Sequence, residues 1–348
     1  MEQQNGNSQP KRWHEVLSEP RGQPRAPYEG LVGQLERATS ADLRELEERI
    51  DAALRELGVT FELPAGDHHN TWFCDLLPQV FTGDDWANIV RGFEQRVRAF
   101  DMFLSDVYGK REILRQGVIP IPAVLGSPNF QRSAAGLAPT DGHFLHLSGI
   151  CVCRDSTGRL LVKNHYLSHA SGLSYMIQNR RLLARVLPEL FQSQTVESIA
   201  DIPTKILLKL RAIAPHPDPS VVLLTPGVGS AVYSEHGFLA RRMGIPLVEG
   251  GDLVVLDDAL FLRTVSGLER VNMIYTRLAD PWLDPLAFDP ESRIGIPGLV
   301  NCVRRGTVSI VNSVGSQLAD DRSLQHYSNA VIGFYLGEAP ILPSIQTY

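Results

Sequence analysis

The run Ser220-Val221-Val222-Leu223-Leu224-Thr225 restricts the fold of this chain more than any other stretch. It is an unbroken apolar strand pattern that stops at Pro226-Gly227-Val228-Gly229-Ser230. A helical pattern follows from Ser234 to Met243, and Gly244-Ile245-Pro246-Leu247-Val248 returns to strand. This is a β-α-β unit, which predicts a parallel sheet with a right-handed crossover. Pro226-Gly227-Val228-Gly229 invites a phosphate-loop reading. It lacks both the GxGxxG spacing and the lysine of a Walker loop.

A second pattern fills Leu145 to Arg181 and reads strand, turn, strand, loop, helix. Leu145, Leu147, Ile150 and Val152 alternate, slipping at Gly149. Asp155-Ser156-Thr157-Gly158 has turn chemistry, since Asp starts turns and Gly tolerates positive φ. Leu160 to Asn164 forms the return strand. Gly172 breaks the chain before a helical stripe of Leu173, Met176, Ile177, Leu182 and Leu183. A turn that pairs Asp155 with Gly158 places Cys151 opposite Val162.

Elsewhere, Ser40 is the expected cap of a helix carrying Leu43, Leu46, Ile50, Leu54 and Leu57, with Gly58 at its end. Val59 to Leu63 reads as a short strand. A longer helix starts at Asp84 or Asp85 and runs through Trp86, Ile89, Phe93, Phe100 and Leu104 to Gly109. Leu253 to Leu256 and Leu260 to Arg263 form a hairpin, and Val271 to Arg277 is a buried strand. Ligands in open α/β sheets sit at the carboxyl ends of strands, so Arg277 is a candidate for bidentate grip of a carboxylate. Gly306 to Ser313 is a further strand, and a helix ends near Leu336-Gly337-Glu338.

The 348 residues allow two domains or one large one, and 43% hydrophobic with 21% charged residues is ordinary globular composition. A net charge of -6 argues against a general nucleic-acid surface. No apolar run approaches the length of a membrane span, and the polar start lacks a signal-peptide core. A cytoplasmic protein is the expectation. Cys74, Cys151, Cys153 and Cys302 then read as free thiols of a reducing compartment. Cys151 and Cys153 with His165 and His169 fit no standard zinc spacing, and the plain reading is a pair of strand cysteines.

The hairpin region resembles the circularly permuted ATP-grasp family, the glutathionylspermidine-synthase-like peptide ligases. Family members carry I-D-L-V-R-D, a turn, then V-L-E-D-N-L-R-x-P-S-G-V-S-Y-x-x-x-N-R-R. The same frame here is Ile150-Cys151-Val152-Cys153-Arg154-Asp155, then Val162 through Ser171-Gly172-Leu173-Ser174-Tyr175, then Asn179-Arg180-Arg181. The resemblance extends through Arg91 to Gly109, Gly117 to Phe130, and Tyr233, Glu235 and His236. It continues at Arg277-Leu278-Ala279-Asp280, where a family Arg is Thr276, at Asp284, and at Asp320-Asp321, where a family Lys is Arg322.

The resemblance implies an α/β fold of mixed sheets: a Rossmann-like β-α-β substrate-side domain and part of a circularly permuted ATP-grasp core. The expected division is a mobile arm over 1–26, a helical lead-in with the hairpin over 27–215, and the β-α-β domain with the last helix over 216–348. The family ligase phosphorylates a carboxylate with ATP, and an amine then displaces the phosphate. The metal acids of that chemistry correspond here to Cys151, Asn164 and Tyr166, which leave no anionic oxygen for Mg²⁺. Family members continue past the Asp320-Asp321 motif into the segment that supplies most ATP-binding lysines and the glycine-rich loop, and the expectation is that this chain lacks it.

The expectation is therefore no metal and no cofactor for this chain alone, in a family that uses ATP and Mg²⁺. The chain reads as a non-catalytic binding or partner subunit. Its partner could be an active ATP-grasp ligase, or its ligand a peptide-like or amine small molecule, with neither nucleic acid nor membrane involved. The alternative is an ATP-dependent carboxylate–amine ligase completed by another chain or a further C-terminal segment. Substrate-contact candidates are Ser171, Tyr175, Asn179, Arg180, Glu235, Arg277 and Asp280. Helix capping and packing explain the same residues equally well.

Overall fold

The computed structural model describes residues 13–18, 22–58, 60–61, 70–72, 74–139, 141–193 and 195–345. Residues 1–12 and 19–21 of the expected arm, with Val59, Glu62 and Leu63 of the first expected strand, lie outside that set. Helix α1 is Ser40–Glu56 and helix α2 is Gly83–Val107. Both begin with a capping box set one or more residues ahead of the expected start. Thr39 accepts from Asp42 N at 3.2 Å, and Thr82 accepts from Asp85 N at 3.1 Å. The acid three residues on returns the bond to the cap's own N–H, so Thr39 displaces Ser40 as the cap.

Strands β1 (Gly149–Arg154) and β2 (Leu160–Tyr166) form the hairpin, and α3 (Leu173–Val186) and α4 (Ile202–Ile213) follow. Then come β3 (Val221–Leu224), α5 (Tyr233–Met243) and β4 (Leu247–Val248). A three-stranded antiparallel arm is made by β5 (Leu253–Leu256), β6 (Ala259–Thr264) and β7 (Gly267–Val271). The chain re-enters the sheet as β8 (Met273–Thr276) and β9 (Ser309–Val311), and α6 (Ser328–Leu336) comes last. The stretch expected as one strand from Val271 is thus two, broken at Asn272. Its side chain accepts from Ser220 N at 3.2 Å, and its backbone N–H donates to Ser220 O at 3.0 Å.

The parallel sheet has the order β9-β8-β3-β4. Every residue of β3 and β8 is buried. Val221 and Leu223 pack on Ile206, Leu210, Phe238 and Leu239 of α4 and α5. Val222 and Leu224 face a larger core that also holds Phe100, Leu104, Leu318 and Ile332. Helical cover on both faces explains why β3 lacks polar alternation. Since β3 connects to β4 on one side and, later, to β8 on the other, strand order reverses between β3 and β8. Their carboxyl ends, Thr225 and Arg277, flank that switch point.

The hairpin register differs from the expectation. Cys151 pairs with Asn164, and Val152 with Val162, so Lys163 is an extra residue bulged out of β2. The inward positions require this. Val162 and His165 are both buried yet three apart, and strict alternation cannot turn both inward without an inserted residue.

Residues Leu342 to Ile345 lie beside β2 as a short parallel extension. Val162 N donates to Pro343 O at 2.8 Å, and Ile345 N to Val162 O at 2.9 Å. Buried Arg96 of α2 holds this segment, its Nη2 donating to Leu342 O at 3.2 Å and Ser344 Oγ at 3.0 Å. Gly92 allows the close approach, because a Cβ there would lie 2.4 Å from Leu342 Cγ. At the other end of the hairpin, Trp13 N donates to Ser156 O at 2.9 Å. The Trp13 ring lies against Gly158, whose φ is +88°. Trp13, within the stretch expected to be mobile, therefore contacts the hairpin turn.

Candidate functional site

The carboxyl edge of the parallel sheet is closed by the loop from Leu167 to Gly172, which joins β2 to α3. Four polar side chains from four places in the sequence hold that loop: Asn312, Asp320, Arg277 and Glu235. Asn312 donates to Leu167 O and Ser168 O, each at 2.8 Å. Asp320 accepts from Leu167 N, Ser168 N and the Ser168 hydroxyl.

Arg277 stands one residue past β8 and is buried. Its Nη1 donates to Ala170 O at 2.6 Å and to Tyr275 Oη at 3.3 Å. Its Nη2 donates to Ser171 Oγ at 2.5 Å and lies 3.8 Å from Glu235 Oε2. Its Nε donates to His236 Nε2 at 3.2 Å. A guanidinium only donates, so His236 Nε2 must be the accepting nitrogen and the ring proton sits on Nδ1. That nitrogen is 2.9 Å from Thr225 Oγ1, on the neighbouring strand end. Burial, with Arg277 and His169 nearby, pushes the His236 pKa down to about 3, which keeps the ring neutral.

Glu235, in the first turn of α5, caps α3. Gly172 at the α3 N-cap has φ 108° and no capping side chain of its own. Glu235 Oε1 accepts Gly172 N at 2.8 Å and Ser174 N at 3.2 Å. Its Oε2 is buried without a hydrogen-bond partner. The expected substrate contacts Ser171, Glu235 and Arg277 thus meet in one network.

A second chain runs beside it. His169 Nε2 faces Leu278 O at 2.9 Å and its Nδ1 faces Ser168 Oγ at 3.0 Å. The carbonyl fixes Nε2 as the donor and leaves Nδ1 an acceptor that shares the single Ser168 proton with Asp320. Burial raises the Asp320 pKa, against the hydrogen bonds from Ser168 and Leu167 that lower it. His169 is pushed down to about 4 by burial and Arg277. Asp280 accepts Gly315 N at 3.1 Å, and burial pushes its pKa up to about 7.

The remaining candidates stand apart from Arg277. Tyr175 stacks on Trp72 with ring centroids 4.3 Å apart, and its hydroxyl is 3.4 Å from Ser234 Oγ. Arg180 donates to Glu197 O at 2.8 Å, and buried Asn179 Oδ1 has no hydrogen-bond partner. His169, His236, Thr225, Asn312 and Asp320 belong to the cluster but were not singled out as contacts. His236 adjoins Glu235 in sequence, a usable signal. Asn312, on a strand end remote in sequence from the loop it holds, offers none.

On the hairpin, the positions corresponding to metal acids come together as the resemblance implies. Cys151 and Asn164 are direct cross-strand partners, and Tyr166 is paired with Gly149 on the same face. The thiol, amide and phenol do not fit Mg²⁺, which takes carboxylate and phosphate oxygens. Among the described residues no three His, Cys, Asp or Glu side chains converge on a metal position.

A model of the circularly permuted ATP-grasp type 2 family matches residues 78–348. The chain belongs to that family. It is 39% identical over 328 residues to an uncharacterized Mycobacterium leprae protein, covering 94% of this chain and 58% of that one. It is 36% identical over 331 residues to an uncharacterized Synechocystis protein, covering 94% and 69%. A putative glutamate–cysteine ligase of Frankia alni is 33% identical over 344 residues, covering 98% and 40%. The chain thus spans under three-fifths of the mycobacterial relative. The solved apo structure of a glutathione synthetase-like effector from Globodera pallida aligns with TM-score 0.54 at 13% identity. It covers 86% of this chain and 69% of that one, and shows the same fold. Among the described residues, no helix is long and apolar enough to cross a membrane.

Proposed function

We propose that this ATP-grasp family chain is non-catalytic by itself and acts as a binding or partner subunit. The observation that carries this reading is the outward face of the hairpin. Cys151 and Asn164 stand across from each other with Tyr166 alongside, and none brings a carboxylate. Without a hard divalent ion on that face, ATP has no metal to neutralise its transferring phosphoryl group. The partner is an active ATP-grasp ligase, or the ligand is a peptide-like or amine small molecule in a cytoplasmic setting. Calorimetric titration of the chain with Mg²⁺-ATP tests it. The expected outcome is no Mg²⁺-dependent binding, and tight binding that requires Mg²⁺ would overturn the reading.

A second reading is a carboxylate–amine ligase completed by another chain or a further segment. The greater length of the relatives and the glutamate–cysteine ligase name of one of them favour it. So does the buried Arg277–Glu235–Ser171 network at the sheet switch point, a usual place for a ligand. Four of the five Arg277 N–H groups donate to protein acceptors, so a substrate carboxylate gripped by two of them would displace Ser171 or Ala170. An Arg277→Lys chain that loses amine-dependent ATP turnover in the presence of the longer relative would support this second reading.

A further inference from the structure

We infer that Cys151 and Cys153 form a two-thiolate site for a soft monovalent ion, of which Cu(I) is the type. The alternation of β1 is settled by its other face. Ile150 and Val152 pack inward against Ile89, Leu160, Val162 and Leu342, so Cys151 and Cys153 both project outward. Cys151 is exposed, Cys153 is half-buried, and both are free thiols. Their cross-strand partners are Asn164 and Leu161, which supply neither an acid nor an imidazole. Among the described residues, β1 pairs with no strand except β2, so the thiols can be reached from the open edge.

Geometry selects the class of ligand. Residues two apart on a strand are separated by roughly 6.7 Å between Cα atoms. That is at the outer limit of the 4.4–6.8 Å span of a disulfide, whose S–S bond of about 2.05 Å would pull the strand. A bridging ion lengthens the link to two metal–sulfur bonds of about 2.3 Å each. Rotation about the two Cα–Cβ bonds can turn the sulfurs of these same-face side chains toward each other. Zinc and Mg²⁺ need more donors than two, and among the described residues no third metal-binding side chain converges here. Soft thiolates with few other donors select Cu(I). The remaining thiols compete poorly: Cys302 is buried, and burial of Cys74 pushes its pKa up to about 11.

This inference goes beyond the proposed function and does not depend on it, since Mg²⁺-ATP titration can succeed or fail without touching it. The test is anaerobic titration of the intact chain with Cu(I) against a chromogenic Cu(I) chelator. One equivalent is expected to bind. Cys151→Ser and Cys153→Ser should each weaken it by more than about 100-fold, beyond the range for outer contacts alone. Cys74→Ser should leave it unchanged. On the unaltered chain, Cu(I) should protect Cys151 and Cys153 together from alkylation and leave the extent of Cys74 alkylation unchanged, as read by peptide mass spectrometry. Retention of the equivalent in both β1 serine variants, its loss in Cys74→Ser, or protection of only one β1 thiol would overturn the assignment.

Discussion

Glu235 caps a helix to which it does not belong, its Oε1 accepting the Gly172 N–H at 2.8 Å across the boundary between the β-α-β unit and the hairpin loop. The same carboxylate lies 3.8 Å from Arg277 through its other oxygen. One side chain therefore sets both the start of α3 and the electrostatics of the sheet switch point. Removing it leaves two orphan N–H groups and a buried guanidinium without its acid. Glu235→Ala should cost about 3–5 kcal/mol, the range for breaking a buried pair. Glu235→Gln, which keeps the cap and loses the charge, should cost less. Urea unfolding of the two variants checks the order, and equal losses would sink the double role.

The protonation of Asp280 gives a pH signature. Burial raises it to about 7 from an ordinary 3.8. Between those values the folded chain keeps a proton that the unfolded chain has released. The contribution of this group to stability therefore falls as pH rises through that window and is level above it. His169 and His236, pushed down to about 4 and about 3 from 6.5, act in the opposite sense and lose stability as pH falls below 6.5. Asp280→Asn removes only the first effect. Its stability relative to the unaltered chain should rise steadily from about pH 4 to about pH 7. Denaturation midpoints across that range measure it; a gap that does not change with pH contradicts the prediction.

Arg96 fastens the extension beside β2. Arg96→Met keeps much of the volume and loses the bonds to Leu342 O and Ser344 Oγ. Hydrogen exchange at the amides of Val162 and Ile345 should quicken while the β3 amides stay protected. Gly92→Ala should do the same by crowding Leu342. Unchanged exchange at Ile345 in both variants would show that the strand is held by other contacts.

The hairpin can be asked to recover a hard cation. Directly opposed strand residues have Cβ atoms about 4.5–5.5 Å apart, close enough for two carboxylates to share one ion. Cys151 and Asn164 are such a pair. Cys151→Asp, Asn164→Glu and Tyr166→Asn together should therefore create Mg²⁺ binding seen by calorimetry. No gain would mean that the inherited site geometry has been lost with its acids.

Leu223 lies at the centre of the sheet and is fully buried. Leu223→Ala should destabilise the chain by about 2–5 kcal/mol. A loss under about 1 kcal/mol, measured by denaturant unfolding, would contradict the double cover of β3.

Much of this molecule follows from local sequence. The unbroken apolar run at Val221 to Leu224 and the helix and strand after it dictate a parallel β-α-β unit. Asp155 and Gly158 dictate the hairpin turn. The ordered motifs from Arg91 to Asp321 place the chain in its family, and the missing acids at three positions are visible without coordinates. These features are legible because each depends on residues close together in the chain. The bulge at Lys163 was decided only when Val162 and His165 both had to be buried. The same holds for Glu235 capping α3, for Arg277 turning its donors onto Ala170, Ser171 and His236, and for Asn312 and Asp320 holding the loop at Leu167 and Ser168. Such bonds join residues dozens to more than a hundred positions apart. A buried polar group takes whichever partner the packed core brings within reach, and spacing along the chain does not encode that choice.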